Sequence, residues 1–326
     1  MTDSRSQPPT RGFRAAALAV LTLLVPSRVF AAPPPPSSGT PQRERTVETT
    51  FQSVDATIAG QWDFPARTPA PLVVLIPSQG RLDREGRLPG LGEEPGHGMY
   101  GELTDALVNA GFAVFRFDKP GTGRSAPGQF ATERSNAIEA YGRAIDHARV
   151  DRDHVFLLGH SLGSDTIAGI FSRYEAVTPP RGVIFFDSTV GERMSLDVKA
   201  PLLIVNPNKD PDDRYTFGEF VVEARSVAPG GKLETSLALI DDAEPGLLAP
   251  MVQGDEKLEL HPRAIAATID WLRKRHAAAP ATDGAHRDSP RSGAWFAADG
   301  HRRPADATAR FDDTPLLASD HPARFE

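Results

Sequence analysis

The chain has 326 residues, a formal charge of −7 and no cysteine. Without cysteine it has no disulfides, thiolate metal sites or lipidated thiols, so the fold must hold by packing. Apolar residues at 40% beside charged residues at 24% are those of an ordinary globular protein, and an acidic chain without a basic cluster is a poor nucleic-acid binder.

Residues 1–31 read as a secretory signal peptide: Arg11 and Arg14 precede the apolar stretch AAALAVLTLLV, and SRVFAA offers a small-residue cleavage site. Pro26 interrupts the apolar run well short of the ~20 residues that span a bilayer. The expectation is cleavage after Ala31, with no stable membrane span after processing and a secreted or periplasmic location. The removed segment carries four arginines and one aspartate, so its loss takes the formal charge from −7 to −10. Residues 32–44, APPPPSSGTPQRE, are a proline-rich linker.

Residues 45–276 carry the periodic patterns of a folded domain. The alternating stretches VETTFQSV and TIAGQWDF predict an antiparallel pair, and six short apolar runs follow: PLVVLIP, FAVFRFD, VFLLG, GVIFFD, PLLIVNP and TSLALID. Helical spacing appears between most of them, in GELTDALVNA, SNAIEAYGRAIDHA, SDTIAGIFSRYEA and YTFGEFVVEARSVA, and again at the end in PRAIAATIDWLRKR. Strands alternating with helices predict an α/β fold: an eight-stranded, mostly parallel sheet with helices on both faces and its site at the carboxyl edge. Residues 277–326 lose apolar periodicity and read as a disordered tail, with Trp295 and Phe296 as a candidate short binding element.

The stretch VFLLGHSLGSDTIAGI, residues 155–170, is a strand, a sharp turn and a helix with Ser161 at the apex. Gly159 and Gly163 are small enough to let strand and helix approach closely around a strained serine. Here the chain resembles the α/β-hydrolase superfamily, most closely its exported esterase and serine-aminopeptidase-like branch. GFAVFRFDKPGTGRS resembles the family's strand and following Asp-x-x-Gly-x-Gly-x-Ser turn, and PSQGRLDREG its oxyanion loop. PLLIVNPNKDPDD resembles the strand and turn that deliver the triad acid, and AIAATIDWLRKR the closing helix.

The resemblance implies Ser161 as nucleophile, the backbone N–H groups of Leu162 and Gln79 as oxyanion donors, and Asp210 as triad acid, with Asp212, Asp213 and Asp187 as alternatives. The oxyanion loop begins Pro77-Ser78 where the family has His-Gly. The pattern also departs at the base. In LALIDDAEPGLLAP, residues 237–250, Glu244 or Pro245 stands where the histidine is expected, and a solvated carboxylate is a feeble base toward a hydroxyl.

Among the nine histidines, His160 belongs to the elbow as a packing residue, and His147 and His154 flank the wrong end of their strand. His276, His286, His301 and His321 lie in or beside the tail, and His97 in the loop after the first parallel strand. His261 alone comes from the right connection, either as a stand-in base or as the cap of the closing helix. Only STVGERMSLDVKA separates residue 187 from the strand at 201, so little or no lid is expected, and an open site suits short or polymeric esters. The reading is an exported serine hydrolase of carboxylic esters that needs no metal or cofactor. Its alternative is a degenerate hydrolase fold kept as a binding or scaffolding module.

Overall fold

Eight strands form one sheet in the order β1-β2-β4-β3-β5-β6-β7-β8. A computed structural model describes residues 45–87, 98–208, 217–250 and 258–278. The strands are β1 (Arg45–Ser53), β2 (Ala56–Phe64), β3 (Ala70–Ile76), β4 (Ala113–Phe117), β5 (Val150–His160), β6 (Gly182–Phe186), β7 (Leu202–Pro207) and β8 (Thr235–Ile240). The helices are α1 (Met99–Asn109), α2 (Glu133–Ile145), α3 (Leu162–Gly169), α4 (Phe171–Val177), α5 (Glu192–Ser195), α6 (Phe217–Ser226) and α7 (Pro262–Ala277). Only β1 with β2 and β2 with β4 pair antiparallel, and the six strands from β3 to β8 run parallel.

The apolar runs are continuous because the sheet is covered on both faces, and the two-residue period then divides each run between two layers. Leu72, Val74 and Ile76 of β3, with Leu157, Phe185 and Ile204, face a layer built on α2, α3 and α4. Val73 and Leu75, with Phe156, Leu158, Ile184 and Val205, face a layer built on α1 and α7. Each layer holds one buried indole. Trp62 packs 4.9 Å from Phe115 and 4.8 Å from His147 and donates to the Ala144 carbonyl at 2.9 Å. Trp271 lies against Phe156 in the other layer, and its buried N–H has no partner among the described residues.

Two elements differ from the sequence expectation. The single helix predicted over residues 164–176 is broken into α3 and α4 at Ile170, which leaves the helical region (φ −131°, ψ 24°) directly after Gly169, a residue that weakens a helix. β5 extends back to Val150, beyond the apolar run, and its first residues are largely exposed. The connection from β6 to β7 holds only the four-residue α5. The predicted signal peptide and linker and nearly all of the predicted tail, including Trp295 and Phe296, lie outside the described residues.

Candidate active site

The turn that follows β5 puts Ser161 in a backbone conformation few non-glycine residues adopt, φ 50° and ψ −118°, at a strain of about 1–3 kcal/mol. Its N–H donates to the Phe186 carbonyl at the end of β6, 2.8 Å away, which fixes the apex to the neighbouring strand. The glycines on either side are required by contact. A Cβ on Gly159 would lie 2.6 Å from the Ser164 nitrogen, and one on Gly163 would lie 2.2 Å from the Ile76 carbonyl oxygen and 2.9 Å from that of Pro77. Ser161 is partly exposed, and its hydroxyl has no hydrogen-bond partner among the described residues.

The close approach at Gly163 also brings the start of the predicted oxyanion loop against the first turn of α3. Leu162 opens that helix and is 38% exposed, so its N–H lacks a carbonyl one turn earlier and points out at the positive end of the helix dipole. Gln79 is exposed two residues beyond Pro77, on a loop pinned at the residue before it. The Ser78 N–H donates to the Tyr100 hydroxyl at 3.0 Å, and the Ser78 carbonyl accepts from Lys119 Nζ at 2.5 Å.

A buried ionic network anchors the far side of this loop. Asp118, at the end of β4, accepts from the Arg84 backbone N–H at 2.8 Å and from Arg84 Nη2 at 2.7 Å, and also from the Arg124 backbone N–H at 2.9 Å. A Cβ on Gly123 would lie 2.4 Å from the Asp118 carboxyl carbon, so the glycine lets the turn close on the carboxylate. Arg116, fully buried, pairs at 2.8 Å with both Asp63 and Glu85. Charges taken out of water this completely persist only when paired and hydrogen-bonded.

His160 is buried in a polar chain that joins three elements. Its Nδ1 lies 3.0 Å from the Tyr100 hydroxyl and its Nε2 3.1 Å from the Gly246 carbonyl. A carbonyl only accepts, so Nε2 carries the proton and Nδ1 accepts from the tyrosine. The Tyr100 oxygen is then left to accept from Ser78. Burial, only partly opposed by the Gly246 contact, depresses the His160 pKa to about 4, and burial holds the Tyr100 hydroxyl well above its ordinary value. Both groups are neutral near pH 7.

The loop after β8 closes where the family histidine is expected. Glu244 and Leu248 pair as a bridge, and the turn between them uses positive φ at Gly246 (83°) and Leu247 (56°). The Gly246 N–H donates to Asp187 Oδ2 at 2.8 Å. Asp187 follows β6 and is itself strained at φ 47°. Asp210, Asp212, Asp213 and His97 lie outside the described residues, and of the four candidate acids Asp187 is the one whose placement is described.

His261 is brought to this same loop, since its N–H donates to the Leu247 carbonyl at 2.7 Å. Its ring, however, caps α7: Nδ1 accepts from the Arg263 N–H at 3.2 Å. Burial and then Arg263 lower its pKa, partly opposed by Asp242, so the ring is neutral with its proton on Nε2. A base that presents Nε2 to a serine needs the opposite tautomer. His261 therefore takes a proton through Nε2 only after Nδ1 leaves the cap. His147 and His154 lie away from the site, His147 stacked 4.8 Å from Phe64 and His154 bonded to Asp151 at 2.8 Å.

Sequence reasoning missed Tyr100 and Lys119. Tyr100 lies in no signature, Lys119 fills an unspecified position of the Asp-x-x-Gly-x-Gly-x-Ser turn, and what links them is contact with Ser78.

Comparison with known proteins agrees with this architecture. Residues 88–206 match the family model of the S33 serine aminopeptidases, a span that includes the elbow and stops before Asp210 and His261. Among solved structures, the chain is similar to the ferulic acid complex of Est1E from Butyrivibrio proteoclasticus, with 13% identity, a TM-score of 0.52, and coverage of 71% of this chain and 100% of that one. It is also similar to a dienelactone hydrolase-like promiscuous phosphotriesterase from metagenomic libraries (15% identity, TM-score 0.51, 71% and 98% coverage) and to an α/β hydrolase from Penicillium (13%, 0.51, 72% and 100%). Among curated proteins none matches.

Proposed function

We propose, from the premise that this chain is a member of the α/β-hydrolase superfamily, that it is an exported serine hydrolase acting on carboxylic esters through an acyl-enzyme on Ser161. The observation that carries the reading is the elbow. Ser161 is held at φ 50° at the carboxyl edge of the sheet, its hydroxyl has no partner among the described residues, and Gly163 brings the start of its helix against Pro77, two residues before Gln79. In the reaction the serine oxygen attacks the ester carbonyl, and the amides of Leu162 and Gln79 stabilise the charge that develops on the carbonyl oxygen. The alcohol leaves and water then hydrolyses the acyl-enzyme. The base is His261 released from its cap, with Asp210 or Asp187 as the acid that orients it. The short β6 to β7 connection suits an uncovered site for short or polymeric esters.

A second reading is favoured by a specific observation. His160 of the elbow and His261, bonded to the loop after β8, both have Nδ1 engaged, one with Tyr100 and the other with Arg263, which is the state expected of a fold kept as a binding module. A fluorophosphonate probe decides between them: the hydrolase is labelled and the Ser161→Ala variant is not. Equal labelling of the two, or none of either, overturns the nucleophile. In a labelled protein, His261→Ala should reduce the turnover of short aryl esters about as severely as Ser161→Ala. The wild-type rate should fall only below the ordinary imidazole range near pH 6.5, because the His261 pKa is lowered. Turnover intact in His261→Ala places the base elsewhere.

A further inference from the structure

The peptide joining Ser78 to Gln79 has its carbonyl oxygen on a buried cation. Lys119, 4% exposed, donates from Nζ to the Ser78 oxygen at 2.5 Å and pairs with Glu133, in the first turn of α2, at 2.8 Å. Its own backbone is fixed as well, because the Lys119 carbonyl accepts from the N–H and the hydroxyl of Thr122 at 3.0 and 2.9 Å. On the other side, the Ser78 N–H is held by the Tyr100 hydroxyl.

The peptide unit is planar and trans, so the Ser78 carbonyl and the Gln79 N–H point in opposite directions in one plane. A group that fixes the oxygen therefore aims the N–H. An ammonium on the oxygen also draws electron density through the amide and makes that N–H a stronger donor, and it acts in a buried setting where such polarisation counts for most. Gly80, at φ 86°, turns the chain away directly afterwards and leaves the Gln79 amide at the bend. We propose that Lys119 is a positioning residue of the oxyanion site, clamping and polarising the Ser78 to Gln79 peptide so that the Gln79 N–H faces the acyl oxygen. The proposal rests on the reading of Ser161 as nucleophile and deepens it: the group that acts on the transition state is a backbone amide, and the residue that makes it effective lies at the end of a different strand.

The test uses the full chain and four substitutions: Lys119→Met, Lys119→Gln, Lys119→Arg and Glu133→Gln. The readouts are the rate of Ser161 modification by a fluorophosphonate, kcat and KM on a short aryl ester, and the thermal midpoint. Loss of one oxyanion donor costs roughly a hundredfold to a thousandfold in kcat, and a donor left in place but misaimed is expected to cost about tenfold to a hundredfold. Lys119→Met should show that loss in both kcat and modification rate, with KM within about twofold. Lys119→Arg, which keeps a charged donor, should recover most of it, and Glu133→Gln should change the rates little. If the methionine variant does not fold, Lys119→Gln decides, since a neutral donor should sit between wild type and the full loss. A folded Lys119→Met or Lys119→Gln variant with wild-type rates overturns the clamp, as does an arginine variant no better than methionine. A wild-type chain that the probe fails to label overturns the nucleophile reading and the clamp together.

Discussion

Acidification should expose the cost of the neutral histidine behind the elbow. His160 is held at a pKa of about 4 against an ordinary 6.5, because protonating it would place a charge in a buried site. It would also put a proton on Nδ1 facing the Tyr100 hydroxyl, which would then have to receive from both Ser78 and His160 and lose its own acceptor. Below pH 6.5 the unfolded chain takes up a proton at this position and the folded chain does not until about pH 4. The unfolded state thus binds more protons across that window, and unfolding free energy falls as pH falls. The contribution is fully present above 6.5 and gone below about 4, a total of about 3 kcal/mol. His261 and His276 are lowered as well and push in the same direction, so the total acid response does not isolate His160. The difference between wild type and His160→Gln does. Urea titrations followed by circular dichroism at half-unit steps from pH 7 to 4 should give a wild-type stability that declines more steeply than the variant's, with the difference shrinking by about 3 kcal/mol. A difference that stays flat across the window refutes the argument and means that the imidazole is charged or solvated in the folded protein.

Two further substitutions probe the scaffold of the site. Gly163→Ala would place a methyl group 2.2 Å from the Ile76 carbonyl oxygen, between two backbones that cannot rotate aside. It should cost at least about 2 kcal/mol and abolish the reactivity of Ser161, and a variant that melts with wild type and labels normally contradicts the close approach. Asp118→Asn leaves the Arg84 guanidinium, 7% exposed, with only the half-exposed Glu48 carboxylate at 3.9 Å, and should cost about 3 kcal/mol in a urea titration. A loss below about 1 kcal/mol would mean that water reaches the arginine.

The sheet and the elbow were legible because each is a local signal. Two alternating stretches and six apolar runs, with their flanking turns, locate eight strands, and the glycines at 159 and 163 mark a turn whose residue pattern fits within five positions even though Gly163 closes on Ile76 and Pro77. The break at Ile170 was hidden because the apolar spacing runs on through Gly169 as if one helix continued. The anchoring of the loop after β3 was hidden for a different reason. Asp63, Arg84 and Arg116 look like ordinary solvated charges along the chain, and the pairing of β2 with β4 together with the closure of the Arg84 loop on Asp118 takes them out of water. His261 reads from sequence both as a base and as a cap, and its Nδ1 accepts from the Arg263 N–H at the start of α7. Sequence places it at the edge of the site, but the choice of tautomer is made by an amide two residues on, which no pattern of residue types records.

The division of the core into two layers gives the molecule two internal optical probes. Trp62 reports on the face that carries α2, α3 and α4, and Trp271 on the face that carries α1 and α7. The first indole donates to a carbonyl while the second has no acceptor among the described residues, so Trp271 should emit further to the blue. With Trp295 of the tail replaced by Phe, single-tryptophan versions of the chain would show whether the two faces melt in one transition or separately. If they separate, the face that releases first is the one whose loosening the elbow, closed at Gly163 on the end of β3, would feel.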